Sequence, residues 1–446
     1  KQEIEHYQHL KLLVDVREKI AIIGSGISGI SAAYLLSSKY DVYLFEKNNR
    51  LGGHTRTIYV EESTKTIPVD TGFIVFNENN YPDLTNFFKL LDVKCKNSDM
   101  SFAVSNQDPQ IEYSGKNIFS LFANFRNVFS FNFFKMLFEI RKLYLLCNSL
   151  NVSDLEQTKT LNDFLKTNNF STYLINYHIL PMISSIWSSN ISDVKNFPLI
   201  TFINFFKNHA LFNLKKRPQW KYVEGGSNEY IKKIMNKNAF EYETNFKIKK
   251  IIRENSKIKI EDEKNNILEF NKVIFATHAN QVLDILEKPT EEEVKIFSQF
   301  KYSTNSAILH SDHSLMPKSK IAWSSWNFLN KSSSSKFTLT YWMNFLQKLP
   351  TKQNYFVTVN PYKKPKNIIN ETTFNHPIYT TDTILAQKNV MEIQGKNNTF
   401  FCGAYLGYGF HEDGIQSSSY ICKLLHCDLP WKREKNFYNR LQINFK

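Results

Sequence analysis

Apolar and polar positions recur along this chain in two periods, and their succession marks out the elements. Residues 19–23 (Lys-Ile-Ala-Ile-Ile) are an apolar run of strand length, Ile27 to Leu36 repeats as a helix, and Val42 to Phe45 is a second strand ending at Glu46. From Thr66 to Phe76 a short strand, Gly72 and another apolar run follow one another, and Pro82 then opens a helix with Leu84, Phe87, Phe88 and Leu91 on one face. The segment between Ile118 and Cys147 is the most aromatic. Phe133, Leu137, Ile140, Tyr144 and Cys147 recur there at helical spacing, interrupted by Arg126, Lys135, Arg141 and Lys142. Helical pattern resumes from Leu161 through Phe170 to Trp187, with Pro181 as a kink or break.

Past Lys215 the texture changes to turns and strands. Gly225 and Gly226 make a turn, Ser227 is placed to cap a helix beginning near Asn228, and strand-like runs follow at 247–252, 257–260 and 273–277. Runs at 307–310, 337–342 and 355–359 read as a further sheet, and 332–335 as a loop. A last strand from Thr399 enters the glycines Gly403, Gly407 and Gly409 and then a helix starting near Asp413, which aims a second helix N-terminus at a ligand.

The first strand and helix are joined by Gly24-Ser-Gly26-Ile-Ser-Gly29, and each part of that unit serves to hold a dinucleotide. Gly24 permits the tight turn, Gly26 lets backbone N–H groups approach a pyrophosphate, and Gly29 lets helix and strand pack closely. The helix N-terminus turns its partial positive charge to the phosphates, and Glu46 is placed to accept from the ribose hydroxyls. A second glycine turn follows in Arg50-Leu-Gly52-Gly53-His54-Thr55-Arg56-Thr57. Backbone without Cβ atoms can lie against an extended cofactor there, with Arg50 available to a phosphate.

Composition narrows the remaining choices. Over 446 residues, 42% hydrophobic and 22% charged positions describe a globular protein of about two or three domains. Aromatic residues at 15%, with 37 Phe and 22 Tyr, can line a wide apolar pocket as well as fill a core. A net charge of +14 favours anionic partners. The basic residues are dispersed and no nucleic-acid module is present, which leaves peripheral contact with a membrane surface as the macromolecular reading. For the aromatic segment two readings stand, a surface resting on lipid headgroups and a helical subdomain burying that face in its own core; the second is preferred. The five cysteines, odd in number and without a CxxC pair, indicate reduced thiols and a cytoplasmic compartment, and Cys422, His426 and Cys427 do not make a metal site. No segment has the purity of a transmembrane helix, and the charged residues 1–17 read as an extension before the fold, not a signal peptide.

The second turn resembles the Arg-x-Gly-Gly segment of flavoproteins in the amine oxidase, phytoene desaturase and protoporphyrinogen oxidase superfamily, with His54 where those relatives often carry Arg. Further motifs are Val69-Asp-Thr-Gly-Phe-Ile-Val-Phe-Asn77, Asp99-Met-Ser-Phe102, Leu180-Pro-Met182, Arg217-Pro-Gln-Trp220, Ala276-Thr-His278, Tyr341-Trp-Met-Asn344 and the 403–414 segment. Together they resemble bacterial FAD-dependent, amine-oxidase-like oxidoreductases, usually labelled predicted NAD/FAD-binding proteins, over nearly the whole chain after Lys19. The resemblance implies FAD, held by Gly24, Gly26, Gly29, Glu46, Arg50, Gly52, Gly53, His54, Ile248 through its backbone, Gly403 and Gly414. It implies a partner too, a cyclopropane-fatty-acid-synthase-like methyltransferase, and hence a small-molecule or lipid substrate. The lysine that amine oxidases place near flavin N5 has no counterpart that the sequence identifies.

The fold so implied is α/β, a discontinuous Rossmann-like FAD-binding domain with a mixed α+β substrate domain of flavin amine oxidase type. Residues 19–77, 216–285 and 395–430 would build the first domain. Residues 78–215 would supply the helical part of the second and 286–394 its sheet, with 1–18 an extension and 431–446 a tail. Tyr405, Tyr408 and His411 beside the last glycine turn are the catalytic candidates, with Trp187, Trp220 and Trp342 as further lining and His209 and His278 behind them. Each tyrosine reads equally as pocket or core, and His411 more readily as a structural residue than as an acid or base. The leading reading is hydride transfer between flavin N5 and an apolar substrate such as a phospholipid acyl chain. A flavin amine oxidase and a flavin-bound accessory subunit of a lipid methyltransferase are the alternatives, with a carotenoid-type desaturase behind them.

Overall fold

A computed structural model of the chain describes residues 17–108, 110–194, 196–213, 217–254, 256–331, 337–434 and 437–441. The loop read at 332–335, nearly all of the extension and part of the tail lie outside them.

The strand Lys19–Ile23 is the centre of a five-stranded parallel sheet. Asp41–Phe45 and then Glu241–Glu243 lie on one side, Lys272–Phe275 and then Thr399–Phe401 on the other. Side chains on successive strand residues point to opposite faces, so a strand apolar at every position feeds two cores. Ile20 and Ile22 enter the core on one face, Ala21 and Ile23 the core on the other. The sheet is drawn from four separated stretches of sequence, which is why the domain is discontinuous.

On the first face the helix Ile27–Leu36 is buried nearly all round, because the helix His411–Leu424 covers it. Gly414 sits at that crossing, where a Cβ would come within 2.7 Å of Ile27 Cγ2 and 2.8 Å of Ser28 Oγ. The helix Pro82–Leu90 packs Leu84, Phe87 and Phe88 into the same core. The helices Glu291–Phe297 and Thr381–Glu392 bury Ile296, Phe297, Ala386 and Val390 against the opposite face, although they fall in the stretch read as substrate sheet. Ser227 occupies the N-cap position of Asn228–Met235, but its hydroxyl donates to Asp70 Oδ1 at 2.8 Å and not to the helix.

The substrate domain is built on a seven-stranded mixed sheet. Its strands Phe102–Asn106 and Ile111–Ser114 come from the stretch read as helical. They are too short to show an alternation that distinguishes them from a helical run. Helices cover the sheet, among them Phe131–Ser149, whose Phe133, Tyr144 and Cys147 are buried and whose Leu137 and Ile140 pack against the same core. The face singled out by its spacing is thus the inner one. Pro181 follows one π-helical turn, Ile175–Ile179. Proline has no N–H for the carbonyl of Tyr177, and that carbonyl accepts from the Tyr113 hydroxyl at 2.9 Å instead.

Candidate functional site

One cavity of about 1080 Å³ runs from the glycine turns of the parallel sheet to the substrate sheet. At its nucleotide end the two turns lie back to back. Gly52 N donates to Ser25 O at 3.0 Å and to Ser25 Oγ at 3.2 Å, and a Cβ on Gly53 would come within 3.0 Å of Gly26 Cα. Gly24, Gly52 and Gly53 have φ of +101, +107 and +57, in the left-handed region that glycine enters without strain. Gly26 differs: a Cβ built on it meets nothing within 4 Å, because it faces the cavity. Gly26 caps the Ile27–Leu36 helix with no side-chain hydrogen bond and no acid in the first turn, so that end offers backbone N–H groups and positive potential.

Glu46 is buried at the end of its strand and accepts four hydrogen bonds. Ser25 N and Oγ donate to Oε2 at 3.0 and 2.6 Å, and Asn48 N and Nδ2 to Oε1 at 2.9 and 2.7 Å. A carboxylate has about four lone-pair positions, so any further donor would have to displace one of these. Arg50 donates to the carbonyls of Gly53 at 2.7 Å and Thr55 at 3.0 Å. Its guanidinium braces the second turn from within, while Arg56 also lines the cavity and donates to Thr71 Oγ1 at 3.2 Å. Ile248 lines the cavity beside Phe246. Gly29 and Gly414 do not line it; they are packing positions, at the helix–strand and helix–helix contacts.

The last glycine turn gives the cavity a wall through Gly403, Gly409 and His411. His411 stacks on Phe73 with ring centroids 3.6 Å apart, and its Nε2 lies 3.0 Å from Thr55 Oγ1. Burial, with His54 nearby, holds its pKa well below the usual histidine range, and its ring is held by the Phe73 stack and the Thr55 contact. Tyr405 reaches the wall, but its ring packs against Phe300 in the core. Tyr408 is not part of the lining: its hydroxyl meets that of Tyr438 at 2.9 Å, and its carbonyl accepts from Trp187 Nε1 at 3.0 Å. Trp187 and Trp220 line the cavity, whereas Trp342 packs against Trp323 and Phe345 away from it. His209 is stacked between Phe205 and Trp220 in the core. The structure adds Trp326 and Tyr341, an edge-to-face pair with centroids 4.8 Å apart, to the apolar lining.

Residues 22–91 match the family model described as an NAD(P)-binding Rossmann-like domain. More than nine-tenths of the chain superposes on several solved enzymes. A fatty acid isomerase from P. acnes that produces CLA is 13% identical, with 91% of this chain and 98% of that one covered and a TM-score of 0.67. Cyclohexylamine oxidase from Brevibacterium oxydans IH-35A is 14% identical, covering 92% and 100% with a TM-score of 0.64. Putrescine oxidase bound to putrescine is 11% identical, covering 92% and 99% with a TM-score of 0.64. The fold is the one these enzymes share. No curated protein matches the sequence. Among the described residues no helix is long and apolar enough to cross a membrane.

His376, which no sequence motif marks, joins His54 and His278 in the cavity lining. His54 lies with ring centroids 5.9 Å from His278 and 5.4 Å from His376. Burial, then His278 and Arg50, lower the pKa of His54 to about 3; burial, then His54, does the same for His376; and burial, then His376 and Lys47, lower His278 to about 4. A histidine whose folded pKa lies below its unfolded value of about 6.5 contributes stability that is present above pH 6.5 and is lost as pH falls toward the folded value. We expect each of these three histidines to lower the unfolding free energy by on the order of 1 kcal/mol as pH falls from 7 to 5. Denaturant unfolding at the two pH values measures it, and His376→Gln should flatten the dependence.

Proposed function

We propose that the protein is an FAD-dependent oxidoreductase that moves hydride between the flavin and a long apolar substrate, a fatty acyl chain with an anionic head. The observation that carries this reading is the division of the cavity lining. Its carboxylates, Glu46, Glu263 and Asp284, and its lysines, Lys47 and Lys247, belong to the nucleotide end. The other end is walled by Met100, Phe102, Met182, Ile186, Trp326 and Tyr341, and its cation is Arg217. An ammonium substrate finds no carboxylate there, and a carboxylate or phosphate head finds a guanidinium.

The residues fit the cofactor. The open space at Gly26 is where a phosphate needs approach without a Cβ, Glu46 and Ile248 border the adenosine end, and the wall from Gly403 to His411 closes the far side. When bound, the flavin supplies a hydride acceptor or donor at N5. The chain itself excludes water with the aromatic lining and orients the acyl chain. Trp187 is fixed in that wall by its hydrogen bond to Tyr408 O. Where the chain gives up a hydride it also gives up a proton, which would pass to solvent at the cavity mouth, the histidines around the cavity being weak bases. The fatty acid isomerase that shares the fold acts on a related class of molecule.

Arg217, an exposed residue of that lining, donates from Nε to Asn213 O at 2.8 Å and from a terminal nitrogen to Leu211 O at 3.4 Å. Arg217→Ala should weaken oleate binding about tenfold, measured by tryptophan quenching, and leave an uncharged long-chain alcohol unaffected. Denaturing the purified protein and identifying what it releases tests the cofactor: about one FAD per chain is expected, and NAD(P) in its place overturns the assignment.

A further inference from the structure

The outer face of the Phe131–Ser149 helix is as apolar as its inner one. At about 100° per residue, Phe131, Phe134, Phe138 and Leu145 fall on one stripe opposite the buried Phe133, Met136, Leu143 and Cys147. Their exposures are 80%, 47%, 70% and 62%. The stretch before it continues the pattern, with Phe119 at 78%, Phe125 at 71% and Phe129 at 85% exposed. These rings are held outward by a fixed backbone. Asn117 and Ser120 form a capping box, Asn124 accepts from Arg126 N, Asn127 Nδ2 donates to Glu112 O at 3.0 Å, and the Ser130 side chain caps Phe133 N. Apolar area on this scale, held rigidly in water, marks a contact surface.

Charge identifies what it contacts. Lys116, Arg126, Lys135, Arg141 and Lys142 are all exposed in this segment, and its acidic residue, Glu139, is buried against Ser171. Lys135 and Arg141 flank the aromatic stripe on either side. A second copy of the chain docking face to face would set these cations against their own images, whereas the headgroups of anionic lipids complement them and the acyl region takes the rings. We propose that this face docks the protein on an anionic phospholipid surface, with the phenylalanine rings inserted below the headgroups and the flanking cations among the phosphates. The docked helix backs onto the cavity. Tyr144 on its inner face packs against Phe212, with centroids 5.5 Å apart, and the adjacent Leu211 lines the apolar end. Docking itself depends on neither the cofactor nor the substrate.

The test is cosedimentation of the holoprotein with vesicles of phosphatidylcholine alone and of phosphatidylcholine mixed with phosphatidylglycerol, at low and high salt. The protein should pellet with the anionic vesicles, weaken in high salt and pellet poorly with neutral ones. The triple substitution Phe129→Ser, Phe131→Ser and Phe138→Ser should lower partitioning more than about tenfold, with melting temperature and cofactor content unchanged. Lys135→Glu with Arg141→Glu should lower it about tenfold on anionic vesicles. Failure of the wild type to pellet with anionic vesicles overturns the proposal, as does unchanged pelleting of the triple variant. A dimer on gel filtration that the triple substitution converts to monomer assigns the face to a second copy and overturns it too.

Discussion

Gly26→Val should strip the protein of its cofactor and leave the fold in place. Its backbone, at φ −61 and ψ 179, is open to a β-branched residue, and the added side chain meets no protein atom near its Cβ. The space it fills is the cavity in front of an uncapped helix N-terminus, where a pyrophosphate has to come close to backbone N–H groups. The loss of affinity should reach at least about 100-fold, on the order of 3 kcal/mol. Purified Gly26→Val should be colourless with a circular dichroism spectrum like that of the wild type. A yellow variant with full FAD content would show that this turn does not hold the phosphates.

Gly29→Ala, three residues on, should do the reverse and damage the fold itself. A Cβ there would lie 1.8 Å from Gly24 O and 3.1 Å from Ala276 Cβ, and none of these neighbours is the far end of a flexible side chain. Relief requires the Ile27–Leu36 helix to move off the sheet and disturb the His411–Leu424 helix packed on it. The cost should exceed about 3 kcal/mol, seen as a melting temperature lower by several degrees or as loss of soluble protein. A variant as stable as the wild type would contradict the close packing drawn here.

The contrast between the two glycines shows what the sequence could convey. A glycine triplet between a strand and a helix, with an acid closing the next strand, encodes local geometry. The strand Lys19–Ile23, the helix and the end of Asp41–Phe45 appear where that pattern places them. Which way a side chain faces is set by distant parts of the chain and is not local. Gly414 and Tyr408, adjacent to the cavity wall in sequence, turn toward helix packing and toward Tyr438. His54, His278 and His376 come from three segments with no shared motif, so their cluster exists only after folding. The Phe131–Ser149 helix is apolar on both faces, and periodicity can select one stripe without revealing that the opposite one is bare. The strands at 102–106 and 111–114 are too short to carry a readable alternation, and the packing of the helix at 82–90 into the first core is a long-range contact that no local pattern announces.

The most direct test of the central claim is the absorbance of the bound flavin under anaerobic conditions. Long-chain fatty acids and phospholipid vesicles are added in turn to the oxidised and to the photoreduced protein, and a panel of primary amines is added to both as well. An acyl substrate should bleach the oxidised band or restore it in the reduced protein, and the amines should do neither. Bleaching by an amine while every acyl substrate is silent would rule out the acyl-chain activity.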